Sequence, residues 1–190
     1  MQTSRKISTV FAWGLLGVLF SLLSNDALSQ VRKVSIKELT LESTAIVVGK
    51  CIKRESFWND KRTQILTEVR IQTGESIKGS PGSEVVITIP GGRVGNTIYE
   101  VSDMPVFVEG EEVLVFLWRH PSGKNLVTGA LPGKLTIVED KKTGKKMLRG
   151  ESIMLNEEKN LTKKATPRTT ALKKMFHEDF ITEVKGYVKE

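Results

Sequence analysis

The first candidate for a functional site in this sequence is a glycine-rich stretch that follows a strand-like run. Residues Gly91 to Gly95 read Gly-Gly-Arg-Val-Gly and follow the run that ends at Pro90. A glycine-rich loop after a strand can cradle a phosphate with its backbone amides. That loop also needs a Gly-Lys-Ser/Thr ending and a helix behind it, whereas the next residues here are strand-like. The pattern therefore favours a barrel corner, where glycines supply positive φ angles.

The second candidate is an acidic step formed by Glu109, Glu111 and Glu112 around Gly110. Two carboxylates cleave a glycosidic bond only when they face each other across a cleft. Acidic residues this close together, directly before a strand, are typical of a tight turn that keeps its carboxylates in water. We therefore expect no glycosidase pair at this step.

The supply of nucleophiles and metal ligands is small, with Cys51, His120 and His177 as the chain's cysteine and histidines. The two histidines lack a His-x-x-x-His spacing, so a zinc site would need ligands from distant positions. No Gly-x-Ser-x-Gly elbow occurs. Cys51 lies in the apolar run 45–52, which predicts a buried core side chain and not a reactive thiol. We expect no catalytic residue, no metal and no cofactor.

The N-terminus predicts export. Arg5 and Lys6 precede an apolar run without charge, residues 10–23, and Ala27 and the serine two positions later have the spacing that signal peptidase accepts. The run is also shorter than the ~20 residues of a spanning helix. We predict that residues 1–29 are a signal peptide, cleaved near Gln30, and that the mature chain has no transmembrane segment. A retained N-terminal anchor is the alternative.

The mature chain of about 160 residues suffices for one domain, residues 30–190. With a single cysteine it cannot form an internal disulfide, which fits a periplasmic or extracellular bacterial protein better than a eukaryotic secreted one. The positive charge is concentrated from Asp140 onward, where 13 Lys or Arg face 8 Asp or Glu. Lysine pairs at 141–142, 145–146, 163–164 and 173–174 could meet an anionic polymer, or could form the solvated faces of a hairpin and a helix.

Hydrophobic periodicity predicts a mainly β fold between two helices. Ser35 and Glu38 have the capping-box spacing, so a short helix should run from Ile36 to about Glu42. A polar stretch after Gly150 should lead into a packing helix from Thr169 or Thr170. The predicted strands are 45–53, 65–73, 85–89, 96–101, 112–118, 125–128, 134–138 and 146–149. Because no helix separates successive strands, they indicate a small closed or nearly closed barrel.

The stretches "AIVVGKCIKRESFW", "TEVRIQTGESIKG", "VVITIPGG", "MPVFVEGEEVLVFL" and "FHEDFITEVKGYV" resemble a group of uncharacterised exported bacterial proteins. Their order is also similar, more distantly, to the OB-fold barrel of netrin-like modules and tissue inhibitors of metalloproteinases. The resemblance implies a small OB-like β-barrel with a short N-terminal helix and a C-terminal packing helix. The inhibitors act through an N-terminal cysteine, which this chain lacks, so no inhibitory residue is carried over.

These patterns predict an exported, non-catalytic binding module whose partner is an unknown protein or an envelope polymer. Binding residues concentrate on loops of a rigid scaffold, and the candidates are Phe57, Trp58, Arg93, Val94, Gly95, Asn96 and Pro105. Phe57 and Trp58 are predicted in the loop after the first strand, or else as a plug of the barrel. A hydrolase with scattered site residues and a nucleic-acid or polyanion-binding OB barrel are the alternatives. Leu66, Glu68, Arg70 and Gln72 lack the aromatic platform that single-stranded nucleic acid needs.

Overall fold

The computed structural model describes residues 34–150, 153–154 and 175–189, and at 153, 154 and 175 only the backbone. Strands account for 50% of the structure and helices for 17%, so the predicted mainly β class is confirmed. All described residues belong to one unit, Lys33–Glu190. The predicted signal peptide and the lysine pairs 163–164 and 173–174 lie outside the described residues. None of the described helices is long and apolar enough to cross a membrane.

The chain enters the fold through the predicted capping box. The backbone amide of Glu38 donates to Ser35 Oγ at 3.1 Å, and helix α1 extends over Ile36–Glu42. Ile36 and Leu39 are fully buried on its inner face. The N-terminal helix is thus confirmed at its predicted bounds, because its capping side chain and its apolar spacing act together.

The strands follow in the order β1 (Val34–Ser35), β2 (Ala45–Trp58), β3 (Ile65–Lys78), β4 (Glu84–Pro90), β5 (Gly92–Val94), β6 (Thr97–Tyr99), β7 (Glu112–Arg119), β8 (Asn125–Val127), β9 (Lys134–Glu139), β10 (Lys146–Arg149), β11 (Ile153–Met154) and β12 (Met175–Phe176). The strands β2 and β3 each run five residues beyond their predicted ends. The predicted strand 96–101 is shortened to β6. A 3-10 turn, Leu131–Gly133, precedes β9.

Five strands close the barrel. The strand β2 pairs with β3 and β7, and β3 pairs with β4, all antiparallel. The strand β8 closes the circle, because it runs parallel to β4 at Ile87 and Asn125 and antiparallel to β7 at Leu117 and Val127. The resulting order β2-β3-β4-β8-β7 is that of a small OB-like barrel, as predicted.

Alternating apolar residues of β2, β3, β4 and β7 fill the barrel interior, and Val127 of β8 packs against them partly buried. The buried members are Val47, Cys51, Val69, Ile71, Val85, Ile87, Ile89, Val113, Val115 and Leu117. Phe107 joins them from the segment before β7 and is 2% exposed. The barrel is therefore a packed core, and one of its largest side chains comes from a connecting segment and not from a strand.

A second apolar layer lies between the sheet and the two helices. Strands β9, β10 and β12 extend the sheet from β7, and the helices cover its outer side. The buried side chains of this layer are Val34, Ile36, Leu39, Ile46, Val48, Ile77, Leu114, Phe116, Leu135, Ile137, Leu148, Phe180, Ile181 and Val184. The strand β2 serves both layers, since Val47 faces the barrel interior and Val48 faces the helices.

The C-terminal helix α2 extends over His177–Val188, so the prediction that it begins at Thr169 or Thr170 is wrong. Met175 and Phe176 form β12 and pair with Leu148 and Met147 of β10. Pairing with the exposed edge of β10 overrides the helical spacing of these two residues, because a local pattern cannot reveal a distant strand edge. The packing role is confirmed: Phe180 is buried, and its ring meets the Phe116 ring edge-on with centroids 6.4 Å apart.

Candidate functional site

The hairpin formed by β5 and β6 lies against β2 and β3 at one end of the barrel. Its strands pair antiparallel, with Arg93 directly opposite Ile98. Gly95 and Asn96 form a two-residue turn, and Gly95 has a φ of 58°. Glycine at the first position of such a turn suits the twist of a hairpin. The predicted barrel corner is therefore a small hairpin that crosses the barrel end.

Gly92 allows this hairpin to approach the barrel closely. Its φ is 140°, and a Cβ placed there would overlap both Ser56 Oγ and Thr67 Oγ1. Thr67 Oγ1 also donates to the carbonyl oxygen of Gly91 at 2.6 Å, which ties the start of the hairpin to β3. A close approach and a positive φ both require glycine. The glycines thus have the structural role that the sequence predicts for them.

Phe57 and Trp58 lie in β2 itself, which corrects their prediction as loop residues. The strand continues to Trp58 because β3 pairs with it as far as Ile65. Residues opposite each other on paired strands share a face, and neighbours along a strand do not. Trp58 shares its face with Ile65, whereas Phe57 shares the other face with Leu66. The two aromatic residues therefore cannot belong to one contact surface.

Trp58 points to the side of β2 on which the hairpin lies. It is two residues from Ser56, the hydroxyl that Gly92 approaches, and strand alternation places both side chains on the same face. Trp58 is 37% exposed and Ile98 is 56% exposed. Val94 shares the barrel-facing side of β5 with Gly92, so this candidate does not lie on the same face as Arg93. We call Trp58, Arg93, Gly95, Asn96 and Ile98 the hairpin surface.

Ile98 is the member of the hairpin surface that the sequence did not identify. It falls in a predicted barrel strand, where an apolar residue is expected to face the core. Its strand has only three residues and pairs only with β5 among the described strands, so its side chain remains exposed. The signal that could have found it is the short spacing between the Gly95-Asn96 turn and the polar residues that follow Tyr99.

Pro105 is buried, which does not favour the contact role predicted for it, and we leave it out of the hairpin surface. The segment around it turns into the barrel end, where Phe107 inserts into the core. Its neighbours Val106 and Val108 are 68% and 56% exposed. The backbone alternates here as in a strand, so that Phe107 is directed inward and the two valines outward.

Glu111 is largely buried, although the acidic step was expected to lie in water. Its Oε1 is 2.8 Å from Lys134 Nζ, and the two side chains are 13% and 11% exposed. Glu112 makes a more exposed ion pair with Lys146 at 2.7 Å. Glu109 Oε1 accepts the backbone amide of Arg54 at 2.8 Å. The three carboxylates therefore bind neighbouring strands, and the expectation that they form no glycosidase pair stays a prediction.

Cys51 is fully buried in the barrel core, as predicted. Burial raises the pKa of its thiol, and the negative charges of Glu111 and Glu109 add to this, while Arg54 opposes them. The thiolate, and not the thiol, is the nucleophile. A buried, protonated sulfur is therefore suited to packing and poorly suited to covalent chemistry.

The histidines lie in different parts of the fold. His120 sits in the turn between β7 and β8, where its Nδ1 is 2.7 Å from Ser122 Oγ, and its ring meets the Trp118 ring edge-on. His177 begins the C-terminal helix, and its pKa is lowered, mainly by burial and then by the charge of Lys146. Within the described residues, no three His, Cys, Asp or Glu side chains lie together as a metal site.

The outer face of β3 and β4 is the surface on which an OB barrel could bind nucleic acid. The extension of β2 adds Phe57 beside Leu66 on this face, an aromatic side chain that the sequence did not place here. Its charges are mixed, since Arg70 pairs with Glu84 at 2.9 Å. A shallow cleft of about 330 Å³ borders this face of β3 and β4. Its lining residues include Glu68, Glu84, Arg119, Lys124 and Asn125. Single-stranded nucleic acid usually binds several stacking aromatic side chains beside a basic groove, and this face offers one aromatic side chain and mixed charges.

No protein-family model matches the chain, and no curated protein matches it. Among the described features, the hairpin surface combines an exposed aromatic ring, a guanidinium group and an exposed aliphatic side chain on a well-packed support. Aromatic and arginine side chains carry much of the free energy of protein interfaces. The geometry is therefore suited to binding a partner.

Proposed function

We propose that this protein is an exported, non-catalytic binding module of the bacterial cell envelope or exterior. Its partner, a protein or an envelope polymer, contacts the hairpin surface. The observation that carries the proposal is that the hairpin of Arg93 and Ile98 lies on the face of β2 that ends at Trp58, and that all three side chains are exposed. Interfaces are enriched in exposed aromatic and arginine side chains, so their presence on neighbouring elements favours recognition over random exposure.

The support beneath the hairpin favours the same proposal. Gly92 lies directly on Ser56 and Thr67, and the Thr67 hydroxyl holds the hairpin backbone. A contact surface that is already ordered loses less conformational entropy when a partner binds. Loops and turns on a rigid scaffold are common binding elements for this reason.

Export is the second part of the proposal, and it rests on the N-terminal sequence. The charged start, the apolar run and the small residues before Gln30 are typical of a signal peptide. Mass spectrometry of the protein from its native source should find a mature chain that begins near Gln30. A mature pool that retains Met1 would contradict export by cleavage and leave the anchored alternative.

Site-specific photo-cross-linking tests the binding surface and captures the partner in the same experiment. A photoreactive amino acid at Asn96, in the hairpin turn, should give a discrete cross-linked product in cells. The matched position is Lys142, an exposed residue in the turn between β9 and β10. A product from Lys142 and none from Asn96 would place the contact on the lysine-rich turn and refute the hairpin surface.

Substitutions then measure the contribution of each side chain to the partner found in this way. Trp58→Ala and Arg93→Ala should each weaken binding by about 1–3 kcal/mol. Trp118→Ala is the matched control, because Trp118 is 40% exposed and follows Leu117, which pairs with Ala45 at the other end of β2. This control should bind as the unchanged protein does.

The electrostatic alternative makes a different prediction. Charge reversal at Lys141, Lys142, Lys145 and Lys146 would then abolish binding, with a steep dependence on salt. Two of these lysines already have other contacts, since Lys146 pairs with Glu112 and Lys145 lies over the Phe176 ring. We therefore expect charge reversal to have the smaller effect.

A further inference from the structure

His177 occupies an unusual place for an ionisable side chain. It is the first residue of the C-terminal helix, directly after the strand β12 that pairs with β10. Its Nε2 atom is buried, and no group among the described residues lies within hydrogen-bonding reach of it. A buried nitrogen without a partner is tolerated better in a neutral ring than in a charged one, because an unpaired charge costs far more to desolvate.

Charged groups from three strands and from its own helix act on His177. Lys146 comes from β10, Glu112 from β7 and Glu75 from β3, and Glu178 follows in its own helix. The carboxylates would favour a charged imidazole, but two of them are already neutralised. Lys146 Nζ contacts both oxygens of Glu112 at 2.7 and 2.8 Å, and Lys185 pairs with Glu75 at 2.9 Å.

The helix itself adds a further positive contribution. Its first turn carries unpaired backbone amides, so the N-terminus of a helix resembles a partial positive charge. Burial and the Lys146 ammonium lower the pKa of His177 below its ordinary value, in spite of the three carboxylates. The docked helix therefore accommodates the neutral ring and disfavours the protonated one.

We propose that the C-terminal helix is an acid-sensitive cover: protonation of His177 weakens its docking on the sheet and increases access to the apolar layer beneath it. That layer includes Phe116, which packs against Phe180 of the helix. Phe180, Ile181 and Val184 are the buried side chains that hold the helix in place. The site is separate from the hairpin surface, so this device does not depend on the proposed binding function.

The direction of the pH dependence follows from the two states of the ring. In the undocked helix the imidazole lies in water and has its ordinary pKa, about 6.5. Above that pH the ring is neutral in both states, and docking has its full strength. As the pH falls below it, the undocked state takes up the proton first, so docking weakens until the lower pKa of the docked ring is reached.

Hydrogen exchange of the whole exported protein tests this inference. The amides of residues 181–188 can donate to carbonyls within the helix, so their protection reports its opening. After correction for intrinsic rates, their protection should fall severalfold between about pH 7.5 and pH 5, the range in which histidine titrates. Amides of Val69 and Ile71 in the barrel should keep their protection and serve as the internal reference.

The two histidines of the chain supply a matched pair of variants. His177→Gln keeps a polar, neutral side chain at every pH and should abolish the acid effect on the helix. His120→Gln should leave the effect unchanged, because His120 lies in the exposed turn beside Ser122. An equal loss of protection in His177→Gln, or no loss in the unchanged protein, would overturn the proposal.

A second variant keeps the proposal testable if His177→Gln folds poorly. Lys146→Gln removes the nearby cation and frees the carboxylate of Glu112, and both changes favour a protonated His177 in the docked state. Lys146 is 53% exposed, so the fold should tolerate this substitution. The acid-induced loss of protection should become smaller, and an undiminished loss would exclude His177 as its origin.

Discussion

Lys134 Nζ lies 2.8 Å from Glu111 Oε1, and both side chains of this ion pair are largely buried. The same ammonium donates to the carbonyl oxygen of Val106 at 2.9 Å and lies 5.1 Å from the centre of the Phe107 ring. Glu111 Oε1 also accepts the backbone amide of Val108 at 2.8 Å. The pair therefore fixes the residues on both sides of Phe107, the side chain that closes the barrel core.

Breaking this pair should destabilise the protein strongly. Lys134→Met leaves the Glu111 carboxylate shielded from water without its cation, and we expect a loss of about 2–4 kcal/mol. Urea unfolding followed by circular dichroism measures it. Lys146→Met is the matched control, because its pair with Glu112 is far more exposed and should cost less than about 1 kcal/mol. Equal losses in the two variants would show that enclosure does not matter here.

Cys51 should behave as a core residue under chemical probing. Because burial raises the pKa of its thiol, we expect a thiol reagent to react very slowly with the native protein at neutral pH. In urea the same thiol should react at the rate of a free cysteine. Cys51→Ala should cost about 1 kcal/mol of stability and leave partner binding unchanged. Rapid labelling of the native protein would contradict the inert thiol.

Glycine-to-alanine substitutions at two positions should have opposite effects. Gly92→Ala forces a Cβ into Ser56 Oγ and Thr67 Oγ1 at a φ of 140°, so we expect a loss of about 2 kcal/mol or more. Gly186 lies in the C-terminal helix with open space around it. Gly186→Ala should therefore stabilise the protein by about 0.5–1 kcal/mol through helix propensity. Thermal unfolding of both variants compares them, and shifts of the same sign would refute this assignment.

Much of the fold could be predicted because its signals are local. The Ser35 cap and the alternation from Ile65 onward are each read from a few neighbouring residues, and both are confirmed. The OB-like barrel then follows, since many strands without intervening helices leave few other arrangements. The start of the C-terminal helix was not predictable, because Met175 and Phe176 pair with a strand edge that their own sequence does not reveal.

The site was less predictable than the fold, and the reason is geometric. Whether Phe57 and Trp58 share a surface depends on how far β3 pairs with β2, and a strand end is set by its partner. The burial of Glu111 could not be predicted from its acidic neighbours, because it depends on an ion pair with Lys134, 23 residues away. Pro105 lies buried in the same segment that places Phe107 in the barrel core. Each error concerned a contact that the neighbouring sequence does not specify.

Alanine variants of Trp58 and Phe107 should distinguish a residue of the hairpin surface from a residue of the barrel core by their loss of stability. Phe107 is 2% exposed and fills the barrel end, so Phe107→Ala should lose about 3–5 kcal/mol through a cavity. Trp58 keeps 37% of its surface exposed, and Trp58→Ala should cost only about 1–2 kcal/mol, because less apolar area returns to water.

Two measurements on both variants make this test: urea unfolding, and the affinity for the partner that cross-linking identifies. Trp58→Ala should retain a cooperative transition and lose binding, and that combination would separate recognition from stability. If Trp58→Ala unfolds as readily as Phe107→Ala, Trp58 is a core residue of the barrel end. The hairpin surface would then lose the aromatic side chain on which its proposed affinity depends.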